Sequence, residues 1–146
     1  MGPRGKFVVV VLKGRMPSGG SRSIAGRYKL PGEPRGVYVV DRVRRGALGN
    51  LIFRVDESSG LYLVAYDVKG NGQLSVELGR RLERGGCAKL AASVYACTRR
   101  VDASELQAQG ARVDVLVLPV SPLRPEDAEY VREALAEARG GSDIPN

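Results

Sequence analysis

A chain of 146 residues, 43% hydrophobic and 27% charged, is long enough to bury a core of its own, and it has no run approaching the roughly 18 to 20 apolar residues of a membrane span. It contains no histidine, which excludes Ser-His and Cys-His nucleophile pairs, His-ligated zinc and imidazole acid-base chemistry. The net charge of +7 is unevenly placed: residues 1–60 carry 12 Lys and Arg against 4 Asp and Glu, a net of +8, and residues 61–146 carry 11 against 12, a net of −1.

The chain begins "MGPRGKFVVVVLKGR". Its apolar run is strand length, too short for a secretory core, and the protein reads as cytoplasmic with no membrane association. Residues Gly14 to Gly36 follow, crowded with Gly, Ser, Pro and basic residues and without helical or strand period. Arg15, Arg22, Arg27 and Lys29 make this loop either a phosphate-wrapping segment or a solvated one. "GVYVVDRV" and "NLIFRV" are strand candidates joined through "RRGALGN", which together look like a hairpin carrying Arg42, Arg44 and Arg45. Residues 1–59 thus read as a small basic β unit. The spacing of Gly14 to Ser21 imitates a P-loop, but glycine stands where the lysine is needed and no helix pattern follows.

From residue 60 the pattern becomes regular. "LYLVAYDV" is a strand that ends close to Asp67, and Leu74, Leu78 and Leu82 then recur on one helical face before Gly85 and Gly86 stop the helix. "AKLAASVYACT" is a strand or strand pair. Asp102 and Glu105 form a capping-box signature for a short helix ending at Gly110. "VDVLVLPV" reads as a strand buried on both faces, and Pro125 opens an amphipathic helix with Ala128, Val131, Leu135 and Ala138 on one stripe. Cys87 and Cys97 lack zinc spacing. On one straight strand they would lie about 30 Å apart, although a tight hairpin between them would bring them together. We read them as two small buried apolar side chains. The order strand, helix, strand pair, helix, strand predicts an α+β ferredoxin-like sandwich (βαββαβ) over residues 60–146, with a C-terminal helix.

Three stretches carry a resemblance: Tyr66-Asp67-Val68 at a strand end, Ser93-Val94-Tyr95 after a helix and a Gly-Gly turn, and the late apolar strand "VLVLPVSP". In order and spacing they resemble the CRISPR-associated Cas-two family, the small dimeric partner of the CRISPR integrase, over about residues 61–121. This chain departs from the family in its 60 preceding residues and in the "KGNGQ" that follows the aspartate strand. The resemblance implies a cytoplasmic homodimer in antiviral defence that binds nucleic acid, duplex DNA first and RNA second, and that meets a CRISPR integrase. It further implies a metal-dependent nuclease in which Asp67 from two protomers would hold one Mg²⁺ or Mn²⁺, the ion polarising a phosphodiester and activating water. A purely structural Asp67, bonded to turn N–H groups, is the other reading of the residue. Lys69, Arg99 and Arg100 lie in loops where they could contact phosphates, while Tyr66 and Tyr95 read as packing residues. Two other functions share these features: a small metal-dependent ribonuclease of the VapD-like toxin type, and a non-catalytic module whose basic unit binds RNA or protein. The Arg-rich, His-free and Trp-free composition suits a thermophile.

Overall fold

The computed structural model describes residues 5–140. Strands β1 (Phe7–Val10), β2 (Val37–Val40) and β3 (Leu51–Val55) come first, with the short helix α1 (Ser21–Ala25) and a 3-10 turn at Arg45–Ala47 between them. The remainder runs β4 (Tyr62–Lys69), α2 (Gly72–Arg84), β5 (Ala88–Ala91), β6 (Val94–Cys97), a 3-10 turn at Ala103–Leu106, β7 (Arg112–Pro122) and α3 (Pro125–Gly140). The strands form one seven-stranded antiparallel sheet in the order β2-β1-β3-β7-β4-β6-β5, so the architecture is α+β.

Several local expectations change. β2 and β3 do not pair as a hairpin; both pair with β1, which lies between them. Strand β1 is the natural centre, since its three valines, Val8, Val9 and Val10, are buried on both faces. Within the stretch read as a loop, Ser21 to Ala25 wind into α1, whose Ile24 is fully buried against Val9 and Tyr38 on the outer face of β1 and β2. The helix expected to end at Gly110 is a four-residue 3-10 turn. Its capping box is present as predicted, with Asp102 accepting from the Ser104 N–H and Glu105 reaching back to the Asp102 N–H. α2 is capped by Asn71, whose side chain accepts from Gln73 and Leu74 N–H.

The cysteines also differ from the favoured reading. They form a disulfide, because β5 and β6 fold back as the tight hairpin that brings their Cα atoms to 4.4 Å.

Two faces of the sheet are covered differently. Val64, Tyr66, Tyr95, Cys97 and Val113 point to the face where Leu78 and Leu82 of α2 and Leu106 of the 3-10 turn pack. Leu63, Ala65, Val94, Ala96 and Leu118 point to the other, where Val131 of α3 packs. Val8, Val10, Val37, Leu51 and Phe53 of the first three strands belong to this same second core, so residues 5–59 and 60–140 share one sheet and one interior. β7 is the corner: residues 112–119 pair with β4, and residues 120–122 pair with β3. β7 is thus the strand shared by the two halves of the sheet.

A buried ion pair locks α3 onto this corner. Asp127, in the first turn of α3, is 1% exposed and accepts from Arg124 Nε at 2.7 Å, from the Arg124 N–H at 3.1 Å and from the Ile52 N–H at 3.3 Å. Arg124 in turn donates to the carbonyls of Leu48 at 2.9 Å and Asn50 at 2.6 Å.

Candidate functional site

Asp67 lies near the end of β4, directly opposite Asp114 of β7 in the strand register. Each carboxylate has a cation from its own strand: Lys69 Nζ is 3.0 Å from Asp67, and Arg112 Nε is 3.6 Å from Asp114. The partner of the Asp67 carboxylate is Lys69, and it is Asn71 that accepts from the Gln73 and Leu74 N–H groups opening α2. Burial pulls the Lys29 amine down to about 8, against the opposing pull of the Glu33 and Asp67 carboxylates. Among the described residues, no group of three or more Cys, Asp or Glu side chains converges as a metal site. Asp67 and Asp114 thus each sit beside a cation of their own strand, Lys69 and Arg112, which fits ion pairing better than it fits a divalent cation.

The basic residues singled out from the sequence divide into two groups. Some act on the protein itself. Arg27 donates to both oxygens of Glu33, at 3.0 and 2.9 Å, and to the Val39 carbonyl at 2.8 Å. Glu33 accepts from the Val39 N–H, and Lys29 donates to the Val37 carbonyl while its ammonium sits 3.7 Å from the centre of the Tyr38 ring. Burial works to raise the Glu33 carboxyl, but hydrogen bonds from Arg27, Leu30 N–H and Val39 N–H outweigh it and hold the group below its usual range. Together these three side chains close the free edge of β2, so Arg27 and Lys29 serve as edge plugs. Lys69 is engaged by Asp67, and Arg99 by Glu105 at 3.3 Å. Arg100 lies beside Glu57, Asp102 and Glu105, an acidic setting.

The other group faces solvent. Arg15, Arg22, Arg42, Arg44 and Arg45 are exposed, and none makes an ion pair with another described residue. Arg42 and Arg44 line a groove of about 430 Å³ together with Arg27, Gly26, Leu30 and one carboxylate, Asp41. The Arg44 guanidinium lies against Gly26, whose left-handed φ of 72° ends α1; a Cβ there would collide with the guanidinium. The sequence reading missed Tyr28 in this region. It is 73% exposed, with the Arg22 guanidinium 5.8 Å from its ring centre. Its signal was present in the sequence, as an aromatic residue set in an arginine-rich loop.

Tyr66 and Tyr95 pack as expected. Both are 3% exposed, with ring centres 6.4 Å apart beneath Gly79, which has no side chain to keep the phenols away from α2. The Tyr66 hydroxyl donates to the Ser75 carbonyl at 2.8 Å, and burial pushes both phenols above their usual range.

Comparison of the chain with protein-family models, with curated proteins and with solved structures finds no match. No helix among the described residues is long and apolar enough to cross a membrane.

Proposed function

We propose that the protein is a nucleic-acid-binding scaffold of Cas-two-like type, with duplex DNA as its main ligand and Asp67 in a structural role. The observation that carries the reading is the set of exposed arginines without acidic partners around α1 and the 3-10 turn at Arg45–Ala47, on the half of the chain that holds all the excess positive charge. Such a surface suits the phosphate backbone, whose binding is dominated by Lys and Arg contacts and the release of counterions. The ferredoxin-like reading of residues 60–146 belongs to the same proposal. β7-β4-β6-β5 is an antiparallel run in which β4 and β5 flank β6 in parallel, connected by α2, and the turn carrying Leu106 takes the place of the second helix.

The resemblance also brings a homodimer, an integrase partner and a cytoplasmic location, and these stay proposals. The disulfide accords with an intracellular protein of a hyperthermophile, one setting in which such bonds persist inside cells.

The test is an electrophoretic mobility series with labelled duplex DNA and with RNA, at rising salt, with Mg²⁺, Mn²⁺ or chelator, for wild type and Asp67→Asn. Both proteins are expected to bind alike, with affinity falling by a log-log slope of about −0.9 per phosphate neutralised, and neither should cut. Absence of salt-sensitive binding overturns the proposal. Chelator-sensitive cleavage that is lost in Asp67→Asn would replace the scaffold with the metal-dependent nuclease.

A further inference from the structure

We infer that Tyr28, with Arg22 against its ring and next in the chain to the groove residue Arg27, is a stacking platform for an unpaired nucleobase, so that the protein binds single-stranded nucleic acid or an unpaired end through this residue. The inference rests on the nucleic-acid reading above and adds to it a place and a mode of contact.

The exposure of Tyr28 sets it apart from the other tyrosines. Tyr38, Tyr66 and Tyr95 are 2–3% exposed, and Tyr130 spends its hydroxyl on the Leu90 carbonyl of the edge strand β5. Tyr28 belongs to none of the three core clusters. Its neighbours are cationic: Arg22 at the ring, and Arg27, the preceding residue, on the wall of the groove. Arg27 also donates to the Tyr28 carbonyl at 3.0 Å, fixing the backbone where the ring departs. α1 supplies the geometry. It carries Arg22 and ends at Gly26, whose left-handed backbone turns the chain so that Tyr28 comes back toward Arg22.

An exposed aromatic face with Arg22 against it, near the exposed Arg42 and Arg44 of the groove, offers a single strand both stacking for the base and positive charge for the phosphates. A closed duplex can use only the second, because its bases are already stacked on one another. A peptide partner would need acidic side chains to match the arginines and would not discriminate between paired and unpaired DNA.

The experiment is fluorescence anisotropy with an end-labelled oligothymidylate and with a blunt duplex of equal length, for the full chain as wild type, Tyr28→Ala, Tyr28→Phe and the double variant Arg44→Ala, Arg45→Ala. Tyr28→Ala should weaken single-strand binding by about 5- to 150-fold and leave the duplex within about twofold. Tyr28→Phe should keep the affinity, since the ring and not the hydroxyl is used. The arginine variant should weaken both ligands. With no tryptophan in the chain, tyrosine emission gives a second readout: oligothymidylate should quench it in wild type and quench it less in Tyr28→Ala. Equal loss for both ligands, or no loss for either, in Tyr28→Ala overturns the inference while leaving the nucleic-acid reading intact. If wild type binds neither ligand, both fall together. Circular dichroism of each variant guards against misfolding, which the exposure of Tyr28 makes a small risk.

Discussion

Lys29 shows how one residue can change meaning between sequence and structure. In sequence it is one more cation in a basic loop. In the fold it closes the edge of β2 and rests on the Tyr38 ring. Its pH behaviour follows from that position. The unfolded chain keeps a proton on this amine up to near 10.5, whereas the folded chain releases it above about 8. Between those values the unfolded state binds more protons, so this group makes stability rise with pH across the window and leaves it lower and flat beneath about pH 8. Because the side chain is only partly buried, screening trims the effect to about 1 kcal/mol. Urea unfolding of wild type and Lys29→Met at pH 8 and pH 10.5 should show the difference between the two proteins shifting by that amount in favour of wild type at the higher pH. A difference independent of pH would mean that the amine is solvated. Asp67 was legible as a residue of interest because it is an acid next to a strand end. Its neighbour across the sheet was not legible, since Asp114 is brought opposite it by a strand pairing that no local pattern encodes.

At the scale of elements, local chemistry read well wherever a segment decides its own structure. The leucine period of α2, the capping box at Asp102 and the proline start of α3 all appear where the sequence puts them. What failed depended on distant pairing. β2 and β3 meet β1 instead of each other, and the cysteines bond because β5 and β6 form a hairpin. The attachment of α3 is the clearest case. Sequence marks Asp127 as a first-turn acid suited to a helix N-terminus, and nothing local says that it will be buried against the Ile52 N–H of β3. Removing Asp127 strips the buried Ile52 N–H and the Arg124 N–H of their acceptor, while the part-exposed Arg124 keeps Glu126 and two carbonyls, so the cost is about 1 to 3 kcal/mol. Asp127→Ala should therefore destabilise the fold by that amount in denaturant unfolding, through the loss of the tie between α3 and β3. The exposed pair Arg81 and Glu77 on α2 serves as the control: Glu77→Ala should cost under about 1 kcal/mol.

For the whole molecule, the composition break near residue 60 and the structural connections point in different directions. Charge divides the chain sharply there, and the break invites a picture of a basic appendage on an independent α+β domain. The core does not divide at that place. Leu63, Ala65, Val94, Ala96 and Leu118 on one side share their cluster with Val8, Val10, Val37 and Phe53 on the other, and β3 hydrogen-bonds directly to β7. Taking away the first three strands would expose those side chains, each worth about 1.5 to 3 kcal/mol when fully buried if it is a large aliphatic. It would also leave residues 120–122 of β7 as an unpaired edge. Against a total stability of about 5 to 15 kcal/mol, such a loss is decisive. A fragment of residues 60–146 is expected to be aggregated or molten, binding a hydrophobic dye and lacking a cooperative thermal transition, where the full chain shows one. If the fragment instead unfolds cooperatively and binds no dye, the basic half is a true appendage, and nucleic-acid binding could be removed without touching the fold. On the expected outcome the two functions of the first 59 residues are inseparable: the strands that complete the core also hold out the arginines and Tyr28, and binding must be dissected by substitutions on that surface.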